Sequence, residues 1–167
     1  EVARFQHSTP VAFCSFSPDG RLLATWDTDG MATLRQTNPP RLLASYRTTP
    51  PAPPFQGRIS FSPKGDHLAL GQQNEILLWQ WTSGRQRTIP VRELGEAVSA
   101  MAFSPDGRFL AAACSQIQIW DVSGVWRQPD ESEAPTVGQS VGHSASILDL
   151  AFAPDGATLA TAESDQQ

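Results

Sequence analysis

An all-β fold, built from repeated four-stranded antiparallel modules, is what this 167-residue sequence predicts. Three observations lead there. One turn phrase occurs four times, as FSPDG at Phe16–Gly20, FSPKG at Phe61–Gly65, FSPDG at Phe103–Gly107 and FAPDG at Phe152–Gly156. Its prolines, Pro18, Pro63, Pro105 and Pro154, stand 45, 42 and 49 residues apart, an interval that belongs to modular repeats rather than to one compact sheet. Short apolar runs with strand alternation flank every turn, and charged residues make up only 17% of the chain, below the roughly 25% usual in soluble domains.

In each copy a first run leads into the turn: VAFCSF from Val11, GRISF from Gly57, VSAMAF from Val98 and ILDLAF from Ile147. A second run leaves it: RLLATW from Arg21, DHLALG from Asp66, RFLAAAC from Arg108 and ATLATA from Ala157. Proline presets φ at the first central position, and glycine accepts the positive φ with which the strands resume their twist. The shared phrase is therefore hairpin chemistry and needs no substrate to explain it. The third run is MATLRQ from Met31, EILLWQW from Glu75 and QIQIWDV from Gln116. In its second copy Ile76 and Leu78 point one way while Leu77, Trp79 and Trp81 point the other, the period of two expected in a sheet. The fourth run, RLLASYR from Arg41, RQRTIPV from Arg85 and TVGQSV from Thr136, is more polar, and Pro90 within it suits an outer edge strand. Four short strands per period predict the blades of a β-propeller. Three full copies and part of a fourth make an incomplete ring, with Val2–Phe5 expected as an outer strand of a neighbouring blade.

The net charge of −5 and pI near 5.1 argue against an electrostatic grip on phosphate backbones, because nucleic-acid binders present a basic patch or stripe. No apolar run approaches the roughly 18 residues of a membrane span, and no signal-peptide pattern opens the chain. Cys14 and Cys114 fall at unrelated points of the repeat, so no disulfide is expected between them and an intracellular, cytoplasmic setting is favoured. A chain opening at Glu1 without methionine reads as a piece of something longer.

The third copy carries Trp120-Asp121 and the fourth carries Gly142-His143. With the four spaced turns and the strands in register, the chain resembles the WD-repeat β-propeller family over essentially its whole length. The resemblance implies a single partial propeller segment over 1–167, with repeats near 1–40, 41–82, 83–123 and 136–167 and an insertion at 123–135. It also implies a side-chain network of Asp, His, Ser or Thr, and Trp within a blade. Counted from the turn proline, its members here are His7, Thr25 and Asp29 in the first copy and His143, Thr161 and Asp165 in the fourth. Trp79 and Trp120 are the members in the second and third. No copy is complete: Arg35 holds the Trp position of the first, while Ala52 with Leu70 and Leu94 with Ala112 hold the His and Ser positions of the middle two. By the same resemblance the partner-contacting positions lie eight and six residues before the proline, at Pro10 and Ala12, Phe55 and Gly57, Ala97 and Ser99, and Ser146 and Leu148.

Other chemistry reads as structure. Ser146, His143 and Asp149 make a Ser-His-Asp set on paper, yet no nucleophile elbow accompanies them. DTDGM at Asp27–Met31 starts like a calcium loop, but the closing acid would be Asn38, which leaves a β-turn. Histidines and cysteines lack zinc spacing, and no phosphate cradle is present. No catalytic residue, metal or cofactor is expected. Pro50-x-x-Pro53 is either a polyproline ligand or a stiff connector. Trp126, in an acidic insertion that carries Asp130, Glu131 and Glu133 with Asp121 just before it, either tucks under its own loop or anchors a partner.

The expected function is a non-enzymatic protein–protein interaction scaffold, a section of a larger propeller. Its expected partners are proteins and flanking blades of the same chain or another copy, with neither nucleic acid nor membrane. Two other readings stay open. One is a sensing segment of a signalling ATPase, protease or kinase; the other is part of a propeller enzyme whose active site lies outside these residues.

Overall fold

A computed structural model describes residues 4–48, 57–91, 97–114, 116–126, 136–140 and 146–164. These residues form strands and no helix. The first sheet orders β1 (Val11–Phe16), β2 (Leu22–Asp27), β3 (Met31–Thr37) and β4 (Pro40–Arg47). The second orders β5 (Arg58–Phe61), β6 (Leu68–Gly71), β7 (Glu75–Gln80) and β8 (Arg85–Pro90). The third orders β9 (Ala100–Phe103), β10 (Phe109–Ala113), β11 (Ile117–Asp121) and β12 (Thr136–Ser140), and the fourth pairs β13 (Ile147–Phe152) with β14 (Leu159–Glu163). Every neighbouring pair is antiparallel. In the first three copies the fourth run thus closes the sheet begun by the runs before it.

Strand ends differ from expectation where the backbone turns to a neighbour. β9 starts at Ala100 rather than Val98, because the Val98 amide donates to the Gln72 carbonyl in the second sheet at 3.3 Å. Arg4 and Phe5, expected in an outer strand, are not in one; Val2 and Ala3 lie outside the described residues.

Turn chemistry repeats with the sequence. Gly20, Gly65, Gly107 and Gly156 all have φ between 70° and 74°, the left-handed region that glycine enters without strain. Each donates its amide to the carbonyl three residues earlier, at 2.8 to 2.9 Å.

Packing between sheets follows from strand alternation. The side of the second sheet bearing Phe61, Leu68, Leu70 and Trp79 shares a core with Ala24 and Trp26 of the first. Its opposite side, with Ala69, Ile76 and Leu78, shares one with Leu110, Ala112 and Trp120 of the third. Ala111 and Ala113 of the third sheet meet Ile147 and Leu150 of the fourth. Each sheet therefore has a bulky side and a side with alanine six residues after the turn proline, and the two fit one against the other. The innermost strands pack in the succession β1, β5, β9, β13, and the blades form an incomplete propeller without a closed ring.

Close approach at the hub ends of the strands demands missing side chains. A Cβ on Gly57 would lie 2.8 Å from the Gly71 carbonyl oxygen and 3.1 Å from the Trp26 ring, and one on Gly71 would lie 2.8 Å from Val98 Cβ. Glycine is the residue that lets two backbones come this near.

Candidate functional site

The sheets present two rims: the turn rim, where the four Pro turns gather, and the loop rim at the other end of the innermost strands. On the turn rim, serine and aspartate clamp the first three hairpins, and in the fourth, where Ala153 holds the serine position, Asp155 alone accepts the Ala157 amide. Ser17 Oγ donates to Asp19 Oδ1 at 2.6 Å while accepting the Leu22 amide at 2.9 Å, and Asp19 Oδ1 accepts the Arg21 amide at 3.0 Å. Ser104, Asp106, Arg108 and Phe109 repeat this arrangement at 2.6, 2.9 and 2.8 Å. Lys64 replaces the aspartate in the second copy, and Asp66 takes over by accepting from Ser62 Oγ at 2.8 Å. The serine hydroxyls hold Asp19 and Asp106 below the usual carboxylate range, with backbone amides adding to the effect. At Asp66 burial pushes upward, but the bonds from Ser62 and His67 outweigh it and the group is also lowered.

The polar network of the first copy is partly assembled. His7 Nε2 lies 3.4 Å from Thr25 Oγ1, which is 2.7 Å from Thr33 Oγ1. Arg35 stands across from Leu23, where Trp79 faces Leu68 and Trp120 faces Leu110, and its guanidinium sits 5.3 Å from the Phe5 ring centre. Asp29 is exposed rather than in the network; the buried carboxylate of that turn is Asp27, whose Oδ1 accepts the amides of Asp29 and Met31 at 3.1 and 2.8 Å. This satisfies the DTDGM turn from within. Trp79 and Trp120 are buried, whereas Thr161 is exposed. His143 and Asp165 lie outside the described residues.

Two structural groups, one in the core and one half-buried beside the second turn, went unrecognised in the sequence. Trp26 is fully buried, and its indole donates to Thr48 Oγ1 at 3.0 Å, which in turn donates to the Gly30 carbonyl at 3.1 Å. His67 holds Asp66 through Nδ1 at 2.7 Å and meets Gln80 through Nε2 at 3.3 Å. Alternation in LLATWD, with Ala24 and Trp26 on one side, is the signal that could have placed Trp26 in the core; nothing in a lone His after a turn marks the other.

Along the loop rim, Pro10, Ser146 and Leu148 are exposed, and Ala12, Ala97 and Ser99 are half-buried. Leu148 is 55% exposed and is the largest apolar side chain among them. Gly57 is a correction: it is buried between Trp26 and Gly71 and offers no surface, its close packing being the reason. Phe55 and the Pro50-x-x-Pro53 connector lie outside the described residues. Of the Ser-His-Asp set, Ser146 and Asp149 are exposed, and Asp149 accepts the amide of its neighbour Leu150 at 2.9 Å.

Trp126 tucks back onto the second sheet. Its ring stacks on His67 at 5.1 Å with 19° between planes, and the Arg85 guanidinium lies 5.8 Å from its centre. Arg85 donates to the Trp126 carbonyl at 3.1 Å and Arg87 to that of Val125 at 3.3 Å. Cys14 is exposed and Cys114 buried, both as free thiols. No helix of the described residues is long and apolar enough to cross a membrane.

Comparison with known proteins places these repeats. The family model described as "WD domain, G-beta repeat" matches residues 1–33 and 136–167, and that described as "Anaphase-promoting complex subunit 4 WD40 domain" matches residues 59–125. The chain is 29% identical to Periodic tryptophan protein 2 homolog of Neurospora crassa, over 96% of its own length and 18% of that protein. It is 32% identical to the small ribosomal subunit protein RACK1 of Caenorhabditis elegans (63% of this chain, 33% of that one) and 33% identical to the Protein LST8 homolog of Drosophila melanogaster (62% and 33%). The chain therefore spans no more than a third of the length of these relatives.

Proposed function

Because this chain belongs to the WD-repeat family, whose members serve in general as protein-interaction scaffolds, we propose that it is a non-enzymatic scaffold, one section of a larger intracellular propeller. The observation that carries this reading is the loop rim. Pro10, Ala12, Ala97, Ser99, Ser146 and Leu148 are small or apolar, and the buried seams between sheets hold them at fixed separation. A rigid frame presenting variable loop positions is the arrangement by which repeat proteins select protein surfaces. Such a patch suits a partner that buries apolar area and makes few charged contacts.

The test is proximity labelling with the full-length protein carrying this chain, alongside Ala12→Arg and Leu148→Arg variants that keep the wild-type melting profile. The reading expects a defined set of labelled proteins that shrinks in both variants. Labelling that is the same in all three would contradict it.

A further inference from the structure

We propose a second docking site on the opposite rim: the groove between the second and third sheets takes an extended peptide segment in which an aromatic or branched aliphatic residue stands beside a carboxylate. The groove encloses about 280 Å³. That is just below the roughly 300–1,000 Å³ of small-molecule sites, a size for one or two side chains. Its floor is apolar, formed by Leu78, Phe103, Val122 and Val125. Trp126 is a fixed wall, because His67 occupies one neighbourhood of its ring and Arg85 another, while Arg85 and Arg87 pin the backbone of the strap that carries it. The groove is thus formed before anything enters, which lowers the ordering cost of binding.

Charge selects the occupant. Around the rim the acids are already met by donors: Asp66 by Ser62 and His67, Asp106 by Ser104 and the Arg108 amide. Asp121, beside the groove, is met by Ser123 and the Arg108 guanidinium at 2.9 Å. Lys64, the sole lysine of the chain, lines the groove, is exposed, and has no partner among the described residues. It stands where Asp19, Asp106 and Asp155 stand in the other copies. The repeat has changed sign at this one turn, and Asp66 has kept the clamp closed without the usual acid. An unpaired ammonium over an apolar floor calls for an anion attached to an apolar group.

This site is independent of the loop rim, so its test leaves that reading untouched. The isotopically labelled full chain is titrated with N-acetylphenylalanine and with N-acetylphenylalaninamide, and the Trp126 indole and Lys64 backbone signals are followed. The acid should move both signals and bind about threefold to fivefold more tightly than the amide, the range of one exposed ion pair. Lys64→Asp restores the residue type of the other turns and preserves the fold, checked by an unchanged spread of amide signals; it should remove the preference for the acid. Trp126 and Lys64 signals that stay still, equal binding of acid and amide, or an undiminished preference in Lys64→Asp would each overturn the proposal.

Discussion

A serine two residues before an aspartate holds the first and third turns. Ser17 and Ser104 each donate to the carboxylate and accept a backbone amide, which holds Asp19 and Asp106 ionised below their ordinary range. Asp121 is lowered in the same direction, first by Ser123. Since these folded-state values lie below the unfolded ones, the stabilisation is present above the unfolded pKa of about 4 and is lost as pH falls through the folded values. Thermal melts should therefore show stability falling below about pH 4, with a shallower fall in a Ser17→Ala/Ser104→Ala double variant; an identical pH slope would contradict this. The hub glycines give a second expectation. Gly57→Ala drives a methyl against the Gly71 carbonyl, so it should cost about 1–3 kcal/mol by urea denaturation, as overpacking does, although Gly→Ala in an unobstructed strand is neutral or favourable. No sequence pattern announced Gly57 as a packing position, because what forbids its side chain is a carbonyl in another strand.

Strands and their alternation were legible, because period two and a Pro-x-Gly turn are local. The two-sided reading of β7 matches the cores in which Ile76 and Leu78 sit on one side, and Leu77, Trp79 and Trp81 on the other. Polar connections between strands were less so. Counting from Pro18 placed His7 and Thr25 near each other, 3.4 Å apart, but could not tell Asp27 from Asp29 or show that Thr33 would share the Thr25 hydroxyl. Which of two nearby acids turns inward depends on how β2 ends. The network's partial state sets its worth: His7→Ala should cost no more than about 1 kcal/mol, since Thr25 retains Thr33 at 2.7 Å. Trp120→Ala, in contrast, empties a buried aromatic position between sheets and should cost about 3–5 kcal/mol. Chemical denaturation of both variants checks the order; a midpoint unchanged in Trp120→Ala would contradict the core assignment.

Across the four sheets, a bulky side meets an alanine side three times, and two such sides remain uncovered. Phe16 occupies the position of Phe61, yet it is 60% exposed where Phe61 is 7% exposed, and Ala160 and Ala162 of the fourth sheet are exposed where Ala111 and Ala113 of the third are buried. Open repeat ends and strand edges pair with other chains, so this chain alone should self-associate as concentration rises, and Phe16→Ser should weaken that association; sedimentation showing a stable dilute monomer would argue for closure upon itself. The fold is held above all by cores that lie between sheets rather than within one. Nuclear Overhauser contacts of the Trp120 indole test this most directly. The structure predicts cross-peaks to the methyl groups of Ala69, Ile76 or Leu78 in the preceding sheet, and contacts confined to β9, β10, β11 and β12 would contradict it.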